Sequence, residues 1–342
     1  MKFDVVIGNP PYQENIENRG EQPPLYHKFY DAAEKIGKFV ELITPGRFLF
    51  DVGKTPHEWN HKMLNNEHFK VIRYTPSSKD IFANVDIKGG VAIGCINQEK
   101  NYGAIEMFIQ DDTLRSITDK VMKTNPVSIN TIMYSNTSYK YSVSFFSENK
   151  GFSSRVSGGS SRYLSSSVFD KFPEVFLDKI NSNKDEYIQI VGRQQNDRRI
   201  KFFKRSYINP PDNFEYYKVF VPSSNGSGAL GEVLSTPLIG EPLIGATETF
   251  VSFGKFRTRS LADNLMKYLK TRFARTLLGT RKVTQGNKNP QVWTNVPLQD
   301  FTEKSDIDWY KSIKQIDRQL YKKYNLNEKE IKFIETNVKE MT

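Results

Sequence analysis

The sequence predicts an α/β chain in which a doubly wound sheet is followed by a second α/β domain and a helical tail. Three observations predict this. Apolar runs alternate with helical patterns over the first hundred residues, a Ser-, Gly- and Tyr-rich stretch then breaks the alternation, and short β-like runs beyond it lead into one long amphipathic pattern. In order, Phe3 to Ile7 is a strand, Leu25 to Ile36 a helix, Phe39 to Thr44 a strand, Pro56 to Leu64 a helix, and Phe69 to Tyr74 and Gly90 to Ile96 strands. Residues 135–167 have little periodicity and are expected to form loop or linker. Tyr187 to Val191 and Tyr216 to Val221 then suggest strands, and Leu261 to Leu278 one helix. Capping boxes at Ser305 with Asp308 and at Asn327 with Glu330 announce two terminal helices. The expected domains are 1–130, 131–300 and 301–342.

Composition narrows the function. No apolar run reaches the roughly 18 residues of a membrane helix, and no leader-like pattern opens the chain, so a cytoplasmic location without membrane contact is expected. The single cysteine, Cys95, sits in an apolar run and is expected to be a core residue, which excludes an intrachain disulfide scaffold. The net charge is +10, and residues 190–290 hold 17 Lys and Arg against 7 Asp and Glu, so the whole excess lies there. A local basic excess suits a polyanion, because phosphate contacts release condensed counterions. Its candidate contacts are Arg193, Arg198, Arg199, Lys201, Lys204 and Arg205, then Lys255, Arg257 and Arg259, which alternate as if along one strand face, then Arg281, Lys282 and Lys288. Arginines and amides such as Gln194, Gln195 and Asn196 also suit base edges.

The strongest motif is Phe3-Asp4-Val5-Val6-Ile7-Gly8-Asn9-Pro10-Pro11-Tyr12, an apolar strand running into two prolines. Neither proline has a backbone N–H, so the strand stops in a stiff loop at its carboxyl end, where α/β sheets hold ligands. The amide oxygen of Asn9 and the carbonyl of Pro10 are both acceptors suited to one exocyclic NH2 group. An aromatic amine is a poor nucleophile because its lone pair is delocalised; gripping its hydrogens draws the nitrogen towards tetrahedral geometry and aims it at an electrophilic methyl group. Tyr12 supplies an aromatic face for stacking a base. These residues resemble the NPPY amino-methyltransferases, in particular the adenine-specific DNA methyltransferases of restriction-modification systems. Phe39 to Leu49 looks like the family's next strand and loop, and Asp80 to Ile87 before Gly89-Gly90-Val91 looks like its later pocket segment. Pro237 to Gly240, Thr249 to Val251, Tyr268 to Phe273 and Trp293 to Phe301 resemble a target-recognition region.

The resemblance implies a partial Rossmann-like methyltransferase sheet with a target-recognition domain, S-adenosylmethionine as methyl donor, and an adenine flipped from double-stranded DNA and stacked between Tyr12 and Phe82. The family's cofactor loop has no counterpart before the catalytic strand, so the cofactor site is expected to be incomplete, with the bare sheet edge covered by a separate chain carrying that half, by self-association or by local rearrangement. Gly226-Ser227-Gly228-Ala229-Leu230-Gly231 spells GxGxxG but precedes no helix and is expected to be a surface loop. His57-Glu58-Trp59-Asn60-His61 spells HExxH, the pattern of a zinc helix, but falls where the family has a surface helix, so no metal is expected. The same motif also serves enzymes that methylate protein glutamine or ribosomal RNA, and a DNA-binding specificity fragment without chemistry is the non-enzymatic alternative.

Overall fold

A computed structural model of the protein describes residues 2–14, 22–82, 87–156, 162–180, 186–282 and 284–341. The chain forms two compact units, Met1–Ser116 with Thr280–Thr284, and Ile117–Gly279 with Gln285–Thr342. Both mix strands and helices. Among the described residues no helix is long and apolar enough to cross a membrane.

The first unit is built on four strands, β1 (Phe3–Gly8), β2 (Gly37–Pro45), β3 (Phe69–Thr75) and β4 (Val91–Asn97), ordered β1-β2-β4-β3. β1 and β2 are parallel, and β4 runs against both β2 and β3. Three strands therefore share one direction and the last is wedged between two of them. The sheet is mixed, because β4 returns antiparallel to β3 and pairs antiparallel with β2 as well. Helix α1 (Tyr26–Ile36) buries Tyr26, Tyr30 and Ala33, one helical face. Helix α2 (His57–Leu64) buries Trp59 and Met63. Phe48 is wholly buried where these parts meet, with ring centroids 6.1 Å from Tyr26 and Tyr30, 5.4 Å from Trp59 and 6.0 Å from Phe69. Cys95 is buried in β4 with a free thiol. Among the described residues β1 pairs in the sheet with β2 alone, and Phe3, Val5 and Ile7 stand 55%, 53% and 71% exposed on one face.

The second unit holds an antiparallel sheet ordered Leu238–Gly240, Tyr217–Pro222, Phe250–Phe256, Met133–Tyr134. A three-stranded sheet pairs Ile244–Ala246 parallel to Tyr187–Gln194, which in turn pairs antiparallel to Asp197–Lys204. Its core is aromatic: Phe145, Phe169, Phe172, Phe176 and Phe203 are all buried, and Phe176 stacks on Phe203 at 4.3 Å. Part of the Ser-rich stretch thus belongs to a packed core, since Val143–Glu148 is a short helix carrying Phe145. The single helix expected over Leu261 to Leu278 is two, Arg259–Lys270 and Arg272–Gly279. Buried Asp317 causes the break by accepting hydrogen bonds from the backbone N–H groups of Arg272 (3.1 Å) and Phe273 (2.9 Å), while the Thr271 hydroxyl accepts from Ala274 N–H. In the tail, the Asn327 and Glu330 capping box opens Glu328–Asn337. The preceding helix, Ile313–Lys323, starts from a box at Ser312 and Gln315, because the Ser305 hydroxyl instead accepts from Ile307 N–H within a turn.

Phe48→Ala should lower stability by about 3 to 5 kcal/mol, the usual cost of emptying a filled aromatic site. Urea unfolding of the full chain measures it, and a loss under about 1 kcal/mol would show that the cluster does not hold the first unit together.

Candidate active site

Because β1 and β2 are parallel, with Gly8 opposite Leu42, their carboxyl ends lie side by side. The loops leaving those ends line an open cleft of about 790 Å³ with Asn9, Pro10, Pro11, Tyr12, Pro45 and Arg47, joined by Gln22, Pro24, Tyr26, Lys54, Thr55, Ile87 and Lys88. The two prolines keep the loop extended, and it is fastened to the segment before α1. Glu14 N–H donates to Pro23 O at 2.9 Å, and Leu25 N–H donates to Tyr12 O at 3.0 Å. Asn9 is exposed and Pro10 buried. The Tyr12 hydroxyl is buried and has no hydrogen-bond partner among the described residues, and burial lifts its pKa above the usual phenol value. What half-buried Tyr12 offers the cleft is therefore its ring rather than its hydroxyl. Opposite, the Tyr26 hydroxyl lies 2.6 Å from the hydroxyl of Thr55.

Arg47 and Lys88 contribute positive charge to this lining, as does Lys54, and no described lining residue is acidic. Sequence reading missed these three cations because Arg47 and Lys54 follow β2 while Lys88 precedes β4, and only the fold brings the two stretches together. The nearest signal was Gly89-Gly90 after Lys88. Gly89 has φ +84°, and a Cβ there would fall 2.3 Å from Arg47 Cγ; Gly90 has φ +71°, and a Cβ there would fall 2.4 Å from Thr75 O. Only glycine lets that turn close on the arginine stem while Gly46 N–H donates to Gly90 O at 2.9 Å. Phe82 is half-buried, its N–H donating to Ser78 O at 2.7 Å, and it is not among the residues lining the cleft. Residues 83–86 of the same expected pocket segment lie outside the described residues.

The HExxH helix serves another purpose. His57 Nδ1 lies 2.8 Å and His61 Nε2 3.5 Å from the carboxylate of buried Asp51, and Asn60 donates to it at 2.9 Å. Burial works to raise the Asp51 pKa, but the Asn60 hydrogen bond and the two imidazoles outweigh it and hold the carboxyl below its usual range. Among the described residues no group of three or more His, Cys, Asp or Glu side chains is placed to hold a metal. The GxGxxG loop is closed on itself: the Glu232 carboxylate accepts from Ser227 N–H at 2.9 Å and Gly228 N–H at 3.1 Å, and no helix follows. Those amides, which could otherwise have received a cofactor's oxygens, are already satisfied.

The basic candidates fall into distinct settings. Arg193, Arg198 and Arg199 are exposed at one end of the paired strands Tyr187–Gln194 and Asp197–Lys204. Lys201, on the strand face of Arg199, is buried; its side chain is 8% exposed and its ammonium holds Asp178 at 2.6 Å. Lys204 pairs with Glu148 at 3.1 Å and Arg205 with Glu215 at 2.8 Å. Lys255, Arg257 and Arg259 do not share one strand face, since the strand ends at Phe256 and Arg259 opens a helix. Lys255 pairs with Asp212 at 2.7 Å and Arg259 with Glu241, while Arg257 and Lys288 are exposed. Arg281 and Lys282 belong to the first unit. Lys282 is buried, and burial pulls the Arg281 pKa down against the opposing pull of Asp51.

Residues 1–82 match the profile of the Eco57I restriction-modification methylase family, a span that contains β1, β2 and most of the lining. A stretch of 95 residues, 27% of this chain, is 30% identical to an uncharacterized adenine-specific methylase of Mycoplasma pneumoniae and covers 22% of that protein's length. Among solved structures the chain is similar to the type IIG restriction endonuclease BpuSI, with a TM-score of 0.31 and 11% identity over 95% of this chain and 49% of that one. The chain thus spans about half the length of that endonuclease, and the match reaches about a fifth of the methylase.

Gly89→Ala should destabilise the protein by about 1 to 3 kcal/mol, since it forces a side chain onto a left-handed residue pressed against Arg47. Denaturant unfolding checks this; unchanged stability would mean that the Arg47 contact is not tight.

Proposed function

We propose that this chain carries the catalytic and DNA-reading parts of a site-specific adenine N6 methyltransferase of a restriction-modification system, acting on double-stranded DNA. The observation that carries the reading is the Asn9 to Tyr12 loop, held at the carboxyl end of β1 in a cleft with a cationic lining. In this reading a flipped adenine stacks on Tyr12. Its amine is gripped by the Asn9 amide oxygen and the Pro10 carbonyl, which free the nitrogen lone pair without a strong base. Arg47 and Lys88 suit the phosphates flanking the extruded nucleotide. The basic surface of the second unit favours a nucleic acid over a protein glutamine as substrate. The methyl donor implied by the matched family is S-adenosylmethionine, which supplies an electrophilic methyl group. The described lining suits the base side of the reaction and does not suit that cofactor's nucleoside end, because no carboxylate is present for a ribose diol.

The exposed edge strand β1, with Phe3, Val5 and Ile7 uncovered, supports completion of the sheet by a separate chain bearing the cofactor half or by self-association. The same edge favours a second reading, a DNA-binding specificity subunit without chemistry of its own.

With a complementing half supplied, Asn9→Ala should abolish methyl transfer and leave duplex affinity nearly unchanged. Tyr12→Ala should weaken the stacked state by about 1 to 3 kcal/mol, and Phe82→Ala by the same if it stacks on the second face. Full methylation by the Asn9 variant overturns the catalytic assignment and leaves the specificity-subunit reading. Alone, the chain should bind S-adenosylmethionine weakly or not at all, since a ligand with much of its polar surface unpaired cannot offset the freedom lost on binding. Calorimetry reporting a 1:1 complex of low-micromolar affinity would contradict that.

A further inference from the structure

We propose that the hairpin formed by Tyr187–Gln194 and Asp197–Lys204 is a β-ribbon whose tip enters the DNA major groove and reads base edges with Arg193, Gln195, Asn196 and Arg198. The inference rests on the DNA-reading role proposed above and adds which element reads and how.

The hairpin is rigid at its root and bare at its tip. The strands pair without interruption from Tyr187 with Lys204 to Gln194 with Asp197. Ile188, Ile190, Val191 and Phe203 anchor the root in the aromatic core. The third strand, Ile244–Ala246, reaches only Gln189 to Val191, so from Gly192 to Arg199 the ribbon has two strands. The turn is two residues, Gln195 and Asn196, with φ of +49° and +67°. Two consecutive left-handed residues form the tight type I′ turn, whose twist matches that of the strands. From Arg193 to Ile200 every residue is exposed except Gln194, which is half-buried.

On one face of the tip the charge meets no acid among the described residues. Arg193 lies directly opposite Arg198, which places two like charges side by side, an arrangement that destabilises a hairpin. Arg198 is held in place, donating to Thr236 O at 3.0 Å with its guanidinium 5.4 Å from the ring centre of Phe250. The one acid of the tip, Asp197, lies on the opposite face with Arg199, 3.4 Å away. A polyanion reaching the first face would relieve the Arg193–Arg198 repulsion. Two paired strands with their side chains match a major groove about 12 Å wide, and Arg, Gln and Asn are the side chains that pair two-pronged with guanine and adenine there. A phosphate-only role would need the cations but not the amides of the turn.

The test incubates the full chain with a pool of duplexes randomised at their centre, recovers what binds and sequences it. The informative variant is Gln195→Asn with Asn196→Gly, because Asn-Gly is the preferred type I′ pair and the hairpin keeps its fold. The wild type should enrich a motif. The turn variant should lose about tenfold or more of its preference at one or two adjacent positions while keeping its affinity for the unselected pool within about threefold. Arg193→Ala with Arg198→Ala should weaken binding to both selected and unselected duplexes. The same motif at the same strength from the turn variant, or no motif from a wild type that does bind duplexes, overturns the ribbon inference alone. A wild-type chain that binds no duplex at low salt overturns the DNA-reading role together with it.

Discussion

The parallel pairing of β1 with β2 is the interaction on which the cleft depends. It sets the loop after Gly8 beside the loop after Pro45, so that Asn9, Pro10, Tyr12 and Arg47, from two remote stretches of chain, line one cleft. The pairing is one-sided. β2 is flanked on both sides and largely buried, whereas β1 is an edge strand. The cleft's most chemically distinctive loop therefore hangs from the least supported strand, and α1, β2 and the Phe48 cluster beneath it form its rigid base. The pinning of Tyr12 O by Leu25 N–H gives the loop a second attachment that does not run through the sheet.

The first hundred residues were legible because their structure is made by near neighbours. Each strand and helix expected there is present, with ends shifted by one or two residues, since amphipathic period and proline position are local properties. What was not legible is made by distant residues. The break at Thr271 comes from Asp317, which caps the second helix from another element, so a continuous amphipathic pattern concealed two helices. The wedge of β4 between β2 and β3 follows from a connection whose direction no periodicity encodes. The Asn9 loop announced itself through its prolines, while Arg47, Lys54 and Lys88 had no common signature.

Charge shows the same limit. Counting found the basic excess of residues 190–290, but a count cannot see pairing, and Lys201, Lys204, Arg205, Lys255 and Arg259 each meet a carboxylate. The exposed pairs among these contribute little stability, yet in every pair the carboxylate offsets the cation's net charge. The net field of the second unit thus falls to fewer groups than the composition suggests, and the hairpin tip is where two arginines share a face without an acid.

The loop from Gly226 to Gly231 illustrates the reverse case, a sequence pattern whose chemistry is already saturated. Its backbone amides converge as they do around a bound phosphate, but the oxygens that occupy them belong to Glu232, and a Cβ at Gly226 would collide with that carboxylate. Gly226 is therefore required to leave room for an internal anion, while a Cβ at Gly231 would instead meet the Asn337 carbonyl. Shortening the Glu232 side chain would leave the Ser227 and Gly228 N–H groups without the carboxylate that now accepts from them, so the turn's shape depends on one acidic residue.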